Sequence, residues 1–244
     1  MKFADLLDFI FPKKCLGCGE EDGYLCPLCK EELRLLKMQC CPSCRTKNSD
    51  GKFCGKKPTG DASPCVENFS FDQLLVCLEY SKMHLISKMI VQFKYRFSQD
   101  LALVLGKIMK HQLAIFSQSL KIGGENLLLV PVPLSEKRLK YRGFNQALVL
   151  AEYLVENFSG MQLFDCLGRK DGAQQQAGKL RSERLKNLQD KIFYKNEFGE
   201  ILKNKNVILV DDIATTGTTL NECAKILKAN GAAKVCGLVL ARGK

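Results

Sequence analysis

The feature that most constrains the fold is an alternation of short apolar runs with longer amphipathic segments, which extends from residue 71 to residue 241. Runs such as "NLLLVPVP" (126–133) and "NVILV" (206–210) have the length of a buried strand, whereas the segment 143–158 has the 3.6-residue period of a helix. Strands that alternate with helices favour a parallel α/β sheet, whose functional groups gather at the carboxyl ends of its strands.

The alternation gives explicit bounds for the predicted elements. Strands are predicted at residues 71–80, 126–133, 161–168, 206–210 and 233–241. Helices are predicted at residues 83–95, 99–118, 143–158 and 217–230. The polar, basic segment 170–191 is expected to be a mobile loop that leads into a helix. No apolar run approaches the ~20 residues that a bilayer-spanning helix needs, so no transmembrane segment is predicted.

The first residues of the chain have a helical pattern of their own. Residues 2–11 carry apolar side chains at helical spacing, and Pro12 ends the pattern. Asp5 and Asp8 lie on its polar face, which therefore lacks the basic array of a membrane-binding helix. We expect this helix to dock on the body of the protein, and a weak membrane-surface anchor is the alternative.

Cysteines divide the chain into two parts. Nine of the 13 cysteines lie in the first 65 residues, where apolar periodicity is poor and a fold needs cross-links or metal. We expect no secretory signal at the start of the chain, and clustered C-x₂-C pairs then favour metal sites rather than disulfides. We therefore predict a small Cys-rich zinc module at residues 1–66 and an α/β domain at residues 67–244.

The first two C-x₂-C pairs form the clearer metal site. Cys15 and Cys18 are separated from Cys26 and Cys29 by only seven residues, so a short loop brings four thiolates together. Four soft thiolates in tetrahedral arrangement suit Zn²⁺. Because neither a nearby His/Glu pair nor an open ligand position is evident, this zinc is predicted to be structural.

A second zinc site is predicted further along the cysteine-rich part. One C-x₂-C pair is followed by two separate cysteines, and Cys40 could replace one member of the pair or be a bystander. An interleaved arrangement of the first and third pairs is also open, but sequential pairing closes shorter loops at lower entropic cost. One or two structural Zn²⁺ ions are therefore expected. The ligands predicted for this second site are Cys41, Cys44, Cys54 and Cys65.

The segment "VILVDDIATTGTT" (207–219) predicts a sugar-phosphate site. The strand is expected to end at Val210, which leaves Asp211 and Asp212 at its carboxyl end, where ribose hydroxyls could donate to them. The turn that follows leads into a helix whose N-terminus favours an anion. An ATPase acid is disfavoured because the sequence has no G-x₄-G-K-[ST] loop. The residues predicted to cradle the 5-phosphate are Ala214, Thr215, Thr216, Gly217, Thr218 and Thr219.

This segment resembles the phosphoribosyl-pyrophosphate (PRPP) loop of type I phosphoribosyltransferases. "VPVPLSEKRLKYRGFNQALVLAEYL" (130–154), "RKDGAQQQAGKLRSERLKN" (169–187), "LVLAR" (238–242) and the cysteine pairs are together similar to the competence protein F (ComF/ComFC) family. The resemblance covers nearly the whole chain. It implies a type I phosphoribosyltransferase-like parallel sheet flanked by helices, with a zinc module before it.

The resemblance also implies roles for further residues. The turn at Pro133 lies where such enzymes keep their pyrophosphate loop, and PRPP is expected to bind with Mg²⁺. The segment 169–187 lies where they keep a mobile hood, although "QQQAGKLRSER" departs from the family's usual Leu-Ser and leaves the register of its glutamines open. The implied cationic and hood residues are Lys137, Arg138, Arg142, Arg169, Gln176 and Arg184.

Charge indicates polyanionic partners. Residues 67–244 contain 26 basic and 17 acidic residues, a net charge of +9, which favours phosphates and nucleic acid. Two basic runs could follow a phosphate backbone, with Tyr141 and Phe144 available to stack on bases. The DNA-binding candidates are Lys137, Arg138, Lys140, Arg142, Lys179, Arg181 and Lys186.

Two functions are therefore carried forward. By resemblance, the chain is a cytoplasmic protein of natural transformation that handles imported single-stranded DNA and keeps a pocket for PRPP or a related ribose phosphate. The zinc module could then contribute DNA contacts or hold a partner such as a DNA-translocation ATPase or another competence protein, and peripheral attachment to the inner membrane stays open. The alternative is an active phosphoribosyltransferase that transfers ribose 5-phosphate to a nucleobase-like acceptor. The sequence shows neither an acceptor site nor a general base, so catalysis is left open.

Overall fold

The computed structural model describes residues 14–21, 23–54, 69–80, 85–95, 98–120, 127–171, 192–195 and 200–243. Its strands are β1 (Gln39–Cys40), β2 (Lys47–Asn48), β3 (Gln73–Glu79), β4 (Leu127–Pro131), β5 (Met161–Leu163), β6 (Leu167–Arg169), β7 (Ile192–Tyr194), β8 (Asn206–Ala214) and β9 (Lys234–Arg242). Its helices are α1 (Pro27–Glu31), α2 (Leu85–Tyr95), α3 (Gln99–Leu120), α4 (Glu136–Arg142), α5 (Gln146–Asn157) and α6 (Thr218–Ala229).

A five-stranded sheet of order β3-β9-β8-β4-β5 forms the centre of the fold. Every neighbouring pair in it is parallel, and β8 lies between β9 and β4 in the middle. Parallel strands need crossover helices, and these cover both faces. The predicted α/β class with a parallel sheet is therefore confirmed.

Two apolar layers hold the helices on the sheet. On one face, α2, α3 and α5 pack with fully buried side chains such as Phe93, Leu105 and Leu150. On the other face, α6 packs with Cys223 and Leu227 against the opposite side chains of the same strands. The alternate residues of each strand thus enter different layers, as the two-residue period of a strand requires.

The strand β8 extends further than predicted. Its predicted end at Val210, before the aspartates, was wrong. Asp211 pairs in register with Val239 of β9, and Ile213 pairs with Ala241. Because β9 offers its backbone along this whole length, the ladder continues through both carboxylates to Ala214.

The single strand predicted at 161–168 is in fact two. β5 joins the main sheet beside β4, whereas β6 pairs antiparallel with β7. The Phe164 N–H still donates to the Leu129 carbonyl at 2.8 Å. The Cys166 N–H, however, donates to the Phe164 carbonyl, two residues earlier, at 2.9 Å. This local turn carries the chain out of the sheet.

The basic run 137–142 forms most of α4, a short helix that no predicted element covered. Gly143 ends it with a φ of 80°, a left-handed conformation that suits glycine. The remaining predicted strands and helices that the structure describes agree with the observed ones to within three residues. The predicted helix at 2–11 lies outside the described residues, as does 172–191 of the predicted loop.

The cysteine-rich part lies along the outer edge of β3. The Gln39 amide donates to the Val76 carbonyl at 3.1 Å and accepts from the Val76 N–H at 2.8 Å. Beside it, the Leu36 N–H donates to the backbone carbonyl of Cys77 at 2.9 Å, and the Leu74 N–H donates to the backbone carbonyl of Gly51 at 3.0 Å. This edge is therefore paired along much of its length, although no strand among the described residues extends the main sheet there.

Among the helices in the described part of the chain, none combines the length and the apolar character needed to cross a membrane. The domain boundary predicted at residue 66 lies outside the described residues, in the gap between 54 and 69, and it remains a prediction.

Candidate functional site

Four cysteine sulfurs meet at the start of the described chain. The ligand atoms of Cys15, Cys18, Cys26 and Cys29 all lie within 4.8 Å of one another. The structure thus brings the first two C-x₂-C pairs together, which is the sequential arrangement.

The geometry of this cluster fits zinc. With Zn–S bonds of about 2.3 Å, tetrahedral sulfurs lie about 3.8 Å apart, and the Cys18 and Cys26 sulfurs are 3.7 Å apart. Backbone N–H groups of Cys26 and Cys29 point at the sulfurs of Cys15 and Cys26, each at 3.4 Å, as expected around thiolates. The cluster therefore suits a structural Zn²⁺ bound by four thiolates.

A second cluster joins Cys41, Cys44 and Cys54 within the same distance limit. The sulfurs of Cys44 and Cys54 are 3.4 Å apart. Cys65, the fourth predicted ligand, lies outside the described residues. Cys40 is placed on β1, opposite Lys47, and it is not a member of the described cluster.

The sequence-predicted aspartates line a pocket of about 160 Å³ at the carboxyl end of the sheet. Its small volume and polar lining suit a small polar ligand such as a sugar phosphate. Acidic, cationic and hydroxyl groups face each other across it. The predicted residues that line it are Pro133, Arg138, Arg142, Arg169, Asp211, Asp212, Thr215 and Thr219.

Asp212 is held by a cation that the sequence analysis missed. The Lys94 ammonium at the end of α2 lies 3.1 Å from the Asp212 carboxylate, and both side chains are largely buried. Burial raises the pKa of Asp212, and the Lys94 charge partly opposes that rise. Lys94 and Asp212 are far apart in the sequence, so no local pattern signals the pair.

Of the two aspartates, Asp211 has the less favourable surroundings for a negative charge. Burial, followed by repulsion from Asp212, raises the pKa of Asp211 to about 7. The Asp212 N–H, which donates to the Asp211 carboxylate at 2.8 Å, partly offsets this, as do the charges of Lys94 and Arg169. A pocket of this kind gains from a ligand that donates hydrogen bonds to its carboxylates.

The cations of the pocket also crowd one another. Burial and then the charge of Arg138 lower the pKa of Arg169, whereas Asp211 opposes this shift. Arg142 donates to the Gln146 side chain at 2.8 Å, which fixes its guanidinium at the pocket wall. Guanidinium groups placed in this way are well suited to an anionic ligand.

Asn145 couples the loop that contains Pro133 to the helix behind it. Its side-chain amide donates to the Val132 carbonyl, and its oxygen accepts from the Ala147 N–H at the start of α5, both at 3.1 Å. One side chain thus caps a helix and holds the neighbouring loop. Neither Asn145 nor Gln146 was predicted as a site residue. The local sequence offers only a helix-capping residue before an apolar helix.

The threonine loop turns tightly into α6. Gly217 caps the helix with a φ of 80°, a left-handed value that favours glycine. The hydroxyls of Thr216 and Thr218 lie 2.7 Å apart, and Thr216 also accepts from the Thr218 N–H. Thr215 and Thr219 line the pocket, whereas Ala214 is buried at the end of β8.

Several other predicted residues have different surroundings. Lys137 and Lys140 are exposed on α4, outside the pocket lining. Phe144 packs edge-on against Phe93 at a centroid distance of 5.5 Å, so its ring belongs to the core rather than to a stacking surface. The predicted residues that lie outside the described part of the chain are Gln176, Lys179, Arg181, Arg184 and Lys186.

Two families match separate parts of the chain. The double zinc ribbon domain matches residues 6–56, which contain both cysteine clusters. The phosphoribosyl transferase domain matches residues 141–244, which contain both aspartates and the threonine loop.

Similar proteins match both parts together. Competence protein F of Haemophilus influenzae is 28% identical over 232 residues, which cover 90% of this chain and 97% of that protein. Competence protein ComFC of Bacillus subtilis is 29% identical over 228 residues, covering 91% and 85% of the two chains. The DNA utilization protein YhgH of Escherichia coli is 27% identical over 224 residues, covering 86% and 93%.

Proposed function

We propose that this chain, a homologue of competence proteins F and ComFC, acts in natural transformation by handling imported single-stranded DNA, and that its pocket binds PRPP or a related ribose phosphate. The observation that carries the proposal is the meeting of two carboxylates, three guanidinium groups and the threonine loop in one pocket. The names of its relatives support the cellular role.

Each part of a ribose phosphate has a complementary group. The ribose hydroxyls would donate to Asp211 and Asp212, whose carboxylates are crowded and only partly neutralised. The 5-phosphate would bind in the threonine loop, at the N-terminus of α6. A pyrophosphate would bind beside Arg138 and Arg169, and Mg²⁺ would hold its oxygens and neutralise part of their charge.

A calorimetric titration with PRPP and Mg²⁺ tests the pocket. The variant Asp211→Ala/Asp212→Ala should lose the binding heat, whereas Glu200→Gln, which removes an exposed carboxylate that does not line the pocket, should keep it. If the double variant bound PRPP as the wild type does, the ribose assignment would be wrong. A transformation assay on cells that carry each of the two variants would report separately whether the pocket matters for DNA uptake.

The exposed face of α4 supports the DNA-handling part of the proposal. Lys137, Arg138 and Lys140 are all exposed on this short helix, and a single strand could follow their charges. Counter-ion release makes such binding steeply salt-dependent, with a slope of about −0.7 per phosphate contact for single strands.

A matched charge variant tests this surface. Lys137→Gln/Lys140→Gln should weaken single-stranded DNA binding and flatten its salt dependence without changing PRPP titration, since neither lysine lines the pocket. Lys107→Gln/Lys110→Gln on α3 removes the same charge elsewhere and should have a smaller effect. Equal losses in the two variants would show that net charge rather than the α4 face directs the DNA.

The second candidate function is an active phosphoribosyltransferase, which the domain match over 141–244 favours. In this reaction the bond between the ribose anomeric carbon and pyrophosphate breaks, and a bond to an acceptor nitrogen forms as that nitrogen releases its proton. Release of pyrophosphate from PRPP, measured with and without each nucleobase, tests it. Binding without release under every condition would favour a ligand-responsive pocket over an enzyme.

A further inference from the structure

Two exposed tyrosines meet beside the ribose-phosphate pocket. The Tyr95 and Tyr141 rings lie 6.1 Å apart between centroids, at an interplanar angle of 76°. Tyr141 is 77% exposed and Tyr95 is 57% exposed, so solvent covers most of both rings. We infer that this tyrosine pair is a stacking platform for the bases of single-stranded nucleic acid. The inference rests on the DNA-handling function proposed above and assigns the site where the bases bind.

The tyrosine pair is continuous with the pocket. Arg142 follows Tyr141, and its guanidinium carbon lies 5.9 Å from the centroid of the Tyr95 ring. The same arginine lines the pocket and donates to Gln146. Lys94, which precedes Tyr95, lines the pocket and pairs with Asp212. A base on the tyrosines and a sugar phosphate in the pocket would therefore be neighbours.

Surrounding charge selects a polyanion as the occupant. Lys137, Arg138 and Lys140 are exposed on the same helix as Tyr141, and Arg142 completes the basic run. Among the described residues, two acidic groups lie at the end of this helix far from Tyr141: Glu136, its first residue, and Asp171, whose carboxylate accepts from the Lys137 N–H at 3.0 Å. Aromatic faces beside backbone-binding cations are the arrangement that binds single strands without sequence preference.

The experiment compares two oligonucleotides on the full-length, zinc-loaded protein. One is a fluorescent oligothymidine of about 15 nucleotides, within the site size of single-strand binders, and the other has the same length and backbone but no bases. Tyr95→Ala/Tyr141→Ala should weaken binding of the oligothymidine about tenfold and leave binding of the abasic strand unchanged. Tyr95→Phe/Tyr141→Phe should restore the wild-type affinity, because phenylalanine keeps the ring. Phe193→Ala, at another exposed ring, should have no effect.

A second readout is the fluorescence of the tyrosine rings themselves rather than a binding constant. The chain contains six tyrosines and no tryptophan, so tyrosine emission is directly observable. The oligothymidine should quench this emission in the wild type and quench it less in the alanine variant. An unchanged circular dichroism spectrum and midpoint of urea denaturation in that variant would show that it is folded.

The outcomes distinguish failure of the tyrosine platform from failure of the proposed DNA-handling function. If the wild type bound neither strand, both would fail. If the wild type bound both strands equally and Lys137→Gln/Lys140→Gln weakened both, DNA handling would stand and the platform would be wrong. Equal affinity of the wild type and the alanine variant for oligothymidine would also overturn the platform.

Discussion

Arg45 donates a 2.8 Å hydrogen bond from Nη2 to the carbonyl oxygen of Gly243. Arg45 directly follows Cys44 of the second cysteine cluster and has a φ of 62°, an uncommon value for a residue with a side chain. The Gly243 N–H in turn donates to Ala214 at 2.8 Å, immediately before the loop residue Thr215. A short series of contacts thus connects the second cysteine cluster to the threonine loop.

Loss of this contact should therefore weaken ligand binding from outside the pocket. We expect Arg45→Ala to reduce PRPP affinity about fivefold, the equivalent of one hydrogen bond worth about 1 kcal/mol. Titration calorimetry would measure the change. Arg34→Ala, which removes an exposed arginine from the same cysteine-rich part, is the control and should bind PRPP normally. Normal binding by Arg45→Ala would mean that the loop holds its shape without the cysteine cluster.

The first zinc site should be sensitive to a single added methyl group. A Cβ on Gly17 would lie 2.5 Å from the Cys29 sulfur, whereas a Cβ on Gly19 would meet no described atom within 4 Å. Gly17→Ala should therefore lose about one zinc per chain, measured by metal analysis. Gly19→Ala should keep its zinc and lose only about 1 kcal/mol of stability, because its φ of 87° is left-handed. Full zinc content in Gly17→Ala would contradict this geometry.

Removal of Lys94 should destabilise the folded chain through Asp212. Lys94→Met leaves a buried carboxylate without its cation, and we expect a loss of about 3 kcal/mol in the free energy of unfolding at neutral pH. Urea denaturation would measure it, with Lys107→Met as an exposed lysine control. Lys94→Met/Asp212→Asn should recover most of the loss, since the buried charge is then absent. A double variant as unstable as Lys94→Met would mean that packing, not charge, explains the effect.

Asp211 should make stability fall as the pH rises. Its pKa in the folded chain is raised to about 7 by burial and by Asp212, against about 3.9 for an ordinary aspartate. The folded state therefore binds the proton more tightly, and the free energy of unfolding decreases between about pH 4 and about pH 7. Asp211→Asn should remove this decrease, with a gain on the order of 2 kcal/mol at pH 8.

Denaturation of wild type and Asp211→Asn at a series of pH values would test this. The difference between them should grow up to about pH 7 and then level off. If the difference were instead constant from pH 5 to pH 8, Asp211 would titrate as an ordinary aspartate.

The sequence predicts the sheet and the cysteine clusters because both depend on local spacing. The runs that became β3, β4 and β9 are apolar over the length of a strand, and their parallel arrangement follows from the helices between them. The cluster at Cys15 is similarly local, since two pairs separated by a short loop have few other ways to meet.

Long-range pairing explains what the sequence analysis missed. Asp211 reads as the end of a strand, but β9 supplies a backbone partner at Val239 that no local pattern shows. The local sequence predicts Lys94 at the solvated end of an amphipathic helix, although its ammonium lies against the Asp212 carboxylate. Tyr95 likewise becomes notable only when α4 brings Tyr141 beside it.

The pairing of Gln39 with Val76 has a consequence for solubility. β3 is the outer strand of the sheet, and its sequence, QLLVCLE, is almost wholly apolar. Such an edge, if uncovered, is a template for strands of other molecules. The cysteine-rich part covers it with a side-chain amide and with backbone groups of Leu36 and Gly51. A chain in which the cysteine-rich part is displaced from this edge would be prone to self-association along β3.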